Sequence, residues 1–213
     1  MDRLPLTGVI LAGGLSRRLG RDKALLSLGG EPLALRVAAL LQPLVQELWL
    51  STNRPLAHAG LGLPLVTDLV PSQGPLGGLL TALFFSPTPW VLAASVDSPF
   101  LQPRLLEAMC RRAAKTSRPA VLAESARELE TFPGLFHVRL RPRLEEYLHQ
   151  GERRVRPFLQ ACRPEILSRE ETARLDPEGL SFLNLNTPGD LTAASLRFLK
   201  KEREEGKARR RPG

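Results

Sequence analysis

A chain of 213 residues, 43% apolar and 24% charged, can bury a full core and fits one large domain better than a disordered or fibrous class. It has no uncharged apolar run of about 18 residues and no signal-peptide core ahead of its first strand, which predicts a cytoplasmic protein without a membrane partner. Of the formal net charge of +8, seven Lys/Arg against three Glu in residues 200–213 supply +4; the remaining body is only modestly basic and lacks an aromatic-rich basic face, so no nucleic-acid partner is expected.

The first element is Val9-Ile10-Leu11, which ends in Ala12-Gly13-Gly14. This reads as a buried strand stopping at a turn where a ligand can approach bare backbone. Arg17, Arg18, Arg21 and Lys23 follow within ten residues of the glycines, and free amides with four cations suit a triphosphate. A Walker loop places its Gly-Lys-Ser/Thr directly after the glycine turn, and a dinucleotide fingerprint needs Gly-x-Gly-x-x-Gly. Lys23 lies nine residues beyond Gly14 with no hydroxyl after it, so neither pattern fits. For the glycine pair alone, a plain turn with solvated arginines remains the simpler reading.

Further along, Leu25 to Leu28 is a short extended run closed by Gly29-Gly30, and Pro32 opens a helix to about Leu41. Leu48-Trp49-Leu50 is a second strand, with Asn53 just beyond its carboxyl end, where ligands of an open parallel sheet bind. Alone, such an Asn is also an ordinary turn residue. Leu65-Val66-Thr67 leads to Asp68 and the proline-glycine loop Pro71 to Gly78, then to an apolar helix from Leu79 to Phe85. A glycine run opening a helix suggests close ligand contact.

Trp90 to Ala94 is the most strand-like central segment, and Asp97 follows it. An acid immediately beyond a buried strand suits Mg²⁺, a hard cation that takes carboxylate and phosphate oxygens, although by itself it is equally a cap. A helix from Pro103 to Arg112 buries Leu105, Leu106, Met109 and Cys110. Ala120 to Ala123 is another strand, Glu124 to Glu130 a solvated acidic loop, and Phe132 to Val138 an extended run whose Pro133 predicts an edge or a strand start.

Leu144 to His149 is helical, Gly151-Glu152-Arg153-Arg154-Val155 carries surface charge, and another helix begins near Pro157. Asn184 and Asn186, two apart in an extended segment, point to one side and can face one ligand. Thr187 and Pro188 then supply the cap and first residue of a helix that buries Leu191, Leu196 and Leu199. Residues 1–200 form the expected single domain; 201–213 read as a basic, disordered tail. Cys110 and Cys162 form no CxxC or metal-ligand spacing and read as reduced core residues, while His58, His137 and His149 have no motif around them.

Leu11 to Lys23 resembles the signature Leu-Ala-Gly-Gly-x-Ser-x-Arg-Met-Gly-x-Asp-Lys of nucleotidyltransferases, with Leu19 in the Met place. Asp68 before Gly74-Pro75-Leu76, the Asp97-Ser98-Pro99 strand end, Gly151 to Val155 and Asn184-x-Asn186-Thr187-Pro188 follow in order. Together they resemble the molybdenum cofactor guanylyltransferases, across nearly everything from Thr7 to Leu199. The resemblance implies an α/β chain with a three-layer Rossmann-like nucleotidyltransferase fold and a mostly parallel central sheet. It also implies Mg²⁺-dependent transfer of GMP from GTP to molybdenum-molybdopterin, releasing pyrophosphate.

On that resemblance Leu11, Ala12, Gly13 and Gly14 hold the nucleotide, Lys23 the phosphates, and Asn53 and Asp68 the nucleoside. Asp97 ligates Mg²⁺, Arg154, Asn184 and Asn186 face the pterin, and Arg18, Lys23 and Asp97 form the catalytic set. Transient contact with molybdoenzymes or their chaperones is a further implication. Phe132 stands where the family often has His, which removes a polar contact near the acceptor. A cytidylyl- or sugar-phosphate transferase, or a non-catalytic cofactor carrier, are the alternatives; retained Lys23 and Asp97 favour an enzyme.

Overall fold

A computed structural model describes residues 4–12 and 22–209, with side chains in the last helix to Lys200. The strands are β1 (Leu6–Leu11), β2 (Ser27–Leu28), β3 (Glu31–Pro32), β4 (Glu47–Ser51), β5 (Leu65–Val66), β6 (Trp90–Ser95), β7 (Ala120–Ala123), β8 (Gly134–His137) and β9 (Glu165–Leu167). The α-helices are α1 (Leu33–Leu41), α2 (Pro55–His58), α3 (Pro75–Phe85), α4 (Pro103–Ala113), α5 (Arg141–His149), α6 (Val155–Ala161), α7 (Arg169–Leu175) and α8 (Pro188–Arg209). No helix among the described residues is long and apolar enough to cross a membrane.

Seven strands form one sheet in the order β5-β4-β1-β6-β8-β7-β9, and β2 and β3 pair separately. β1 pairs parallel with β4 and β6, as do β4 with β5 and β7 with β9; among the described strands of this sheet only β8 runs antiparallel, between β6 and β7. Pro133 directly precedes β8, so it opens a strand without removing a ladder donor. The strand-start half of the expectation for Pro133 holds and the edge half does not, because β8 is an interior strand.

Alternation along each strand sorts the apolar residues onto two faces. Ile10, Leu92, Ala94, Val121 and Ala123 pack with α1, α4 and Ala194 of α8; Val9, Val91, Ala93, Ala120 and Leu122 pack with α3, α5 and α6. Both faces are covered, giving three layers, and each Leu- or Phe-sized side chain buried there contributes about 1.5–3 kcal/mol.

α8 keeps helical backbone through Arg209, beyond the boundary that composition places after residue 200; side chains past Lys200 lie outside the described residues. Leu191 packs against the core as expected, but Leu196 and Leu199 are exposed, and it is Phe198 whose ring is seated on the hairpin that follows Lys23. A Cβ at Gly29, whose φ is +63°, would come within 2.2 Å of Phe198 Cε1, and the Arg36 guanidinium stacks 4.2 Å from the ring centroid.

Both cysteines are free thiols. Burial pushes the Cys110 thiol up to about 11 and also raises Cys162. A rise from 9.0 to about 11 leaves about a hundredfold less thiolate at pH 8. Cys110 should therefore alkylate with iodoacetamide about a hundredfold more slowly than a free thiol, read by mass spectrometry against the urea-unfolded chain.

Candidate functional site

The register aligns Leu11 of β1 with Ser51 of β4 and Ser95 of β6, so three strand ends form one carboxyl rim. The Leu11 carbonyl accepts from Val96 N–H, and Ala12 N–H donates to Ser51 O at 2.9 Å. These groups are thus committed to holding the rim together. Gly13, Gly14 and Arg18 lie outside the described residues.

At one end of the rim, Asn53 Nδ2 donates to Asp68 Oδ2 at 2.9 Å while Asp68 N–H reaches Asn53 Oδ1 at 3.3 Å. Ser51 Oγ donates to the other Asp68 oxygen at 3.1 Å. The amino end of α3 is pressed onto this group: a Cβ at Gly78 would meet Ser51 Oγ at 2.7 Å and Leu11 Cδ2 at 2.9 Å. Glycine is needed there for close approach, which is the physical content of the glycine run. Asn53 and Asp68, predicted separately, form one polar unit beside β1.

At the centre, Asp97 stands just past β6. Its Oδ2 lies 2.6 Å from Lys23 Nζ and its Oδ1 accepts from Ser95 Oγ at 2.5 Å. Lys23 Nζ donates also to Asn186 Oδ1 at 2.7 Å. Lys23 and Asp97 are 13% and 15% exposed, so water screens this pair far less than a surface bridge.

Asn186 arrives on a strap formed by residues 184–187. Leu185 is fully buried and its N–H bonds the Asp97 carbonyl at 3.0 Å. Alternation about that anchor turns Asn184 and Asn186 outward, where Asn184 accepts from Ser98 Oγ at 2.8 Å. Both asparagines line one groove of about 690 Å³ together with Glu130, Phe182 and Asp190. Asp190 fixes the strap by accepting the N–H groups of Asn186 at 2.9 Å and Thr187 at 2.8 Å, and those bonds hold its carboxyl below the ordinary range. Thr187 Oγ1 accepts Asp190 N–H in return, a reciprocal cap at the start of α8.

Arg154 does not line that groove. Its side chain is 74% exposed and lies 3.5 Å from Glu152. Its neighbour Arg153 turns inward instead, and Nε donates to Gln73 Oε1 at 2.8 Å in the loop before α3. Sequence reasoning missed Ser95, Ser98, Asp190 and the Arg153–Gln73 link. Of these, Asp190 carried a readable signal, an acid three residues after a Thr N-cap. Phe132 packs edge-on against Phe136 at 6.0 Å between centroids.

One hard carboxylate beside a lysine at the strand ends fits a magnesium ion that would draw its remaining ligands from phosphate oxygens and water. Among the described residues no group of three or more His, Cys, Asp or Glu could hold a metal ion.

A family described as the MobA-like NTP transferase domain matches residues 8–166. The chain belongs to this family. A molybdenum cofactor guanylyltransferase of Serratia proteamaculans is 37% identical over 188 residues, 87% of this chain and 91% of that one. Another, from Cereibacter sphaeroides, is 40% identical over 202 residues, 89% and 95% of the two chains. Among solved structures, molybdopterin-guanine dinucleotide biosynthesis protein A of Archaeoglobus fulgidus superposes with a TM-score of 0.80 at 24% identity, over 91% of this chain and 99% of that one. A CMP:2-keto-3-deoxy-manno-octonic acid synthetase shares the fold at a TM-score of 0.70 and 14% identity. The matched residues run from within β1 to within β9 and so touch every strand of the sheet; the Asn184–Asn186 strap and α8 lie beyond them.

Proposed function

We propose that this chain transfers GMP from GTP to the terminal phosphate of molybdenum-molybdopterin, forming the guanine dinucleotide cofactor and releasing pyrophosphate. The observation that carries the reading is the convergence of Lys23, Asp97 and Asn186, which lie far apart in sequence yet meet within 2.7 Å at the carboxyl rim of the sheet. The relatives' named activity and their coverage of most of the chain support the same conclusion.

Arg18 and Lys23 would neutralise the phosphates, Asn53 and Asp68 would hold the nucleoside, and the backbone from Leu11 to Gly14 would meet the base through groups other than the Leu11 carbonyl and Ala12 N–H, which hold the rim. Asp97 would hold Mg²⁺, which when bound supplies charge neutralisation at the triphosphate. Asn184, Asn186 and Arg154 would receive the pterin substrate. In-line attack by an acceptor phosphate oxygen on the α-phosphorus breaks the bond to the β-phosphate, and alignment with charge neutralisation is its main requirement. No histidine is required as a proton-transfer group. We also assign residues 1–200 to one catalytic domain, and any contact with molybdoenzymes or their chaperones to cofactor delivery after transfer.

The test supplies molybdenum-molybdopterin and Mg²⁺ with GTP, CTP, ATP or UTP separately and follows the dinucleotide product by mass spectrometry. Product from GTP alone is expected. Product from CTP alone would move the chain to cytidylyl transfer, and nucleotide binding without product would favour a carrier. Deleting residues 203–213 should leave turnover within about twofold, because the Phe198 contact on Gly29 is retained. A large loss on that deletion would assign the tail a role.

A further inference from the structure

The connection between β4 and β5 brings a buried histidine to the edge of this site. α2 is a single turn opened by Pro55, and it ends on His58, whose side chain is 1% exposed. Nε2 of His58 lies 2.9 Å from Asp22 Oδ2, and Nδ1 lies 2.7 Å from Thr52 Oγ1. A carboxylate only accepts, so Nε2 carries a proton; the Thr52 hydroxyl accepts Arg54 N–H at 3.0 Å and has its own hydrogen for Nδ1. Arg54 also reaches Asp22 Oδ2 at 3.2 Å, but it is 52% exposed and its contribution is screened.

The second Asp22 oxygen faces the active site's own backbone. Oδ1 accepts Ala24 N–H at 3.0 Å and caps the 3₁₀ turn Lys23–Leu25, whose first residue is Lys23. A continuous set of hydrogen bonds therefore runs from Thr52 through His58 and Asp22 to the backbone that carries Lys23, whose Nζ reaches Asp97 and Asn186.

We propose that His58 is a positioning residue for Lys23: it fixes Asp22, and so the direction from which Lys23 meets the triphosphate, without itself touching substrate. This rests on the nucleotide-site reading above. A lysine side chain has much rotamer freedom to lose on binding phosphate. Anchoring its backbone to a buried histidine fixes where that side chain starts, the general advantage of a preorganised contact.

A double-mutant cycle on GTP binding in the presence of Mg²⁺, measured by calorimetry, separates this role from simple packing. His58→Leu should weaken GTP binding about three- to tenfold in the parent chain, yet by less than about twofold in the Lys23→Ala background. His58→Gln, which keeps a nitrogen donor for Asp22, should recover most of the parent affinity. Equal weakening in both backgrounds, or none in the parent, overturns the proposal. Thermal melts check folding; if His58→Leu does not fold, Asp22→Asn takes its place in the cycle with the same two criteria. Product formation by the parent chain is scored separately. A parent that binds GTP without making product counts against the transfer reading, whereas the cycle alone decides the role of His58.

Discussion

Replacing Asp97 by Asn should slow GMP transfer by at least ~10³-fold while the chain still folds. The change keeps the shape of the side chain and leaves an oxygen for Ser95 Oγ, which now sits 2.5 Å from Oδ1. What it removes is the negative charge, the one carboxylate at the centre of the rim suited to a magnesium ion. Removing a single preorganised electrostatic contact in an active site costs about 10²–10³ in rate, and loss of the proposed ligand of a charge-neutralising ion belongs at or above the top of that range. Stability should fall by about 1–2 kcal/mol, below the 3–5 kcal/mol of a fully buried broken pair, because Lys23 keeps Asn186 and both side chains retain some contact with water. Single-turnover measurement of product, paired with a thermal melt, checks both halves. Transfer within tenfold of the parent would remove Asp97 from the metal site.

Lys23→Ala is expected to weaken GTP binding by about 10–150-fold, the equivalent of one charge-assisted hydrogen bond of about 1.5–3 kcal/mol. Lys23 is 13% exposed, so salt screens it less than a surface lysine and the loss should persist at 0.5 M salt. Lys23→Arg should not restore binding. Nζ sits between Asp97 at 2.6 Å and Asn186 at 2.7 Å, and a planar guanidinium cannot occupy that point without displacing one of them. Calorimetric titration with GTP decides the matter: affinity within threefold of the parent in Lys23→Ala would show that the phosphates are held elsewhere.

The parallel part of the fold was legible because its strands are short apolar runs that stop at polar residues. Val9 to Leu11, Leu48 to Leu50 and Trp90 to Ala94 all lie in strands of the central sheet. The antiparallel insertion of β8 was not legible, because Pro133 speaks to where a strand begins and not to which neighbours it finds. Lys23, Asp97 and Asn186 are expected from motifs, and the structure adds that Lys23 bonds both of the others. His58 was passed over since nothing beside it in sequence marks it; its partners Asp22 and Thr52 reach it through the turn of α2. For adjacent arginines the sequence offers no way to tell the inward one, and here Arg153 reaches Gln73 while Arg154 faces solvent.

The hydrogen bond between Lys23 and Asn186 joins residues 163 apart. During synthesis the sheet through β9 can be complete while the strap is still inside the ribosome, so the residues proposed for the nucleotide can be in place before those proposed for the acceptor. A nascent or truncated chain ending after β9 would retain Asn53, Asp68 and Asp97 yet have nothing to bring across from Asn186. The proposed centre is thus closed by the return of the chain to a residue near its start, a contact that a chain must be made through Asn186 to form.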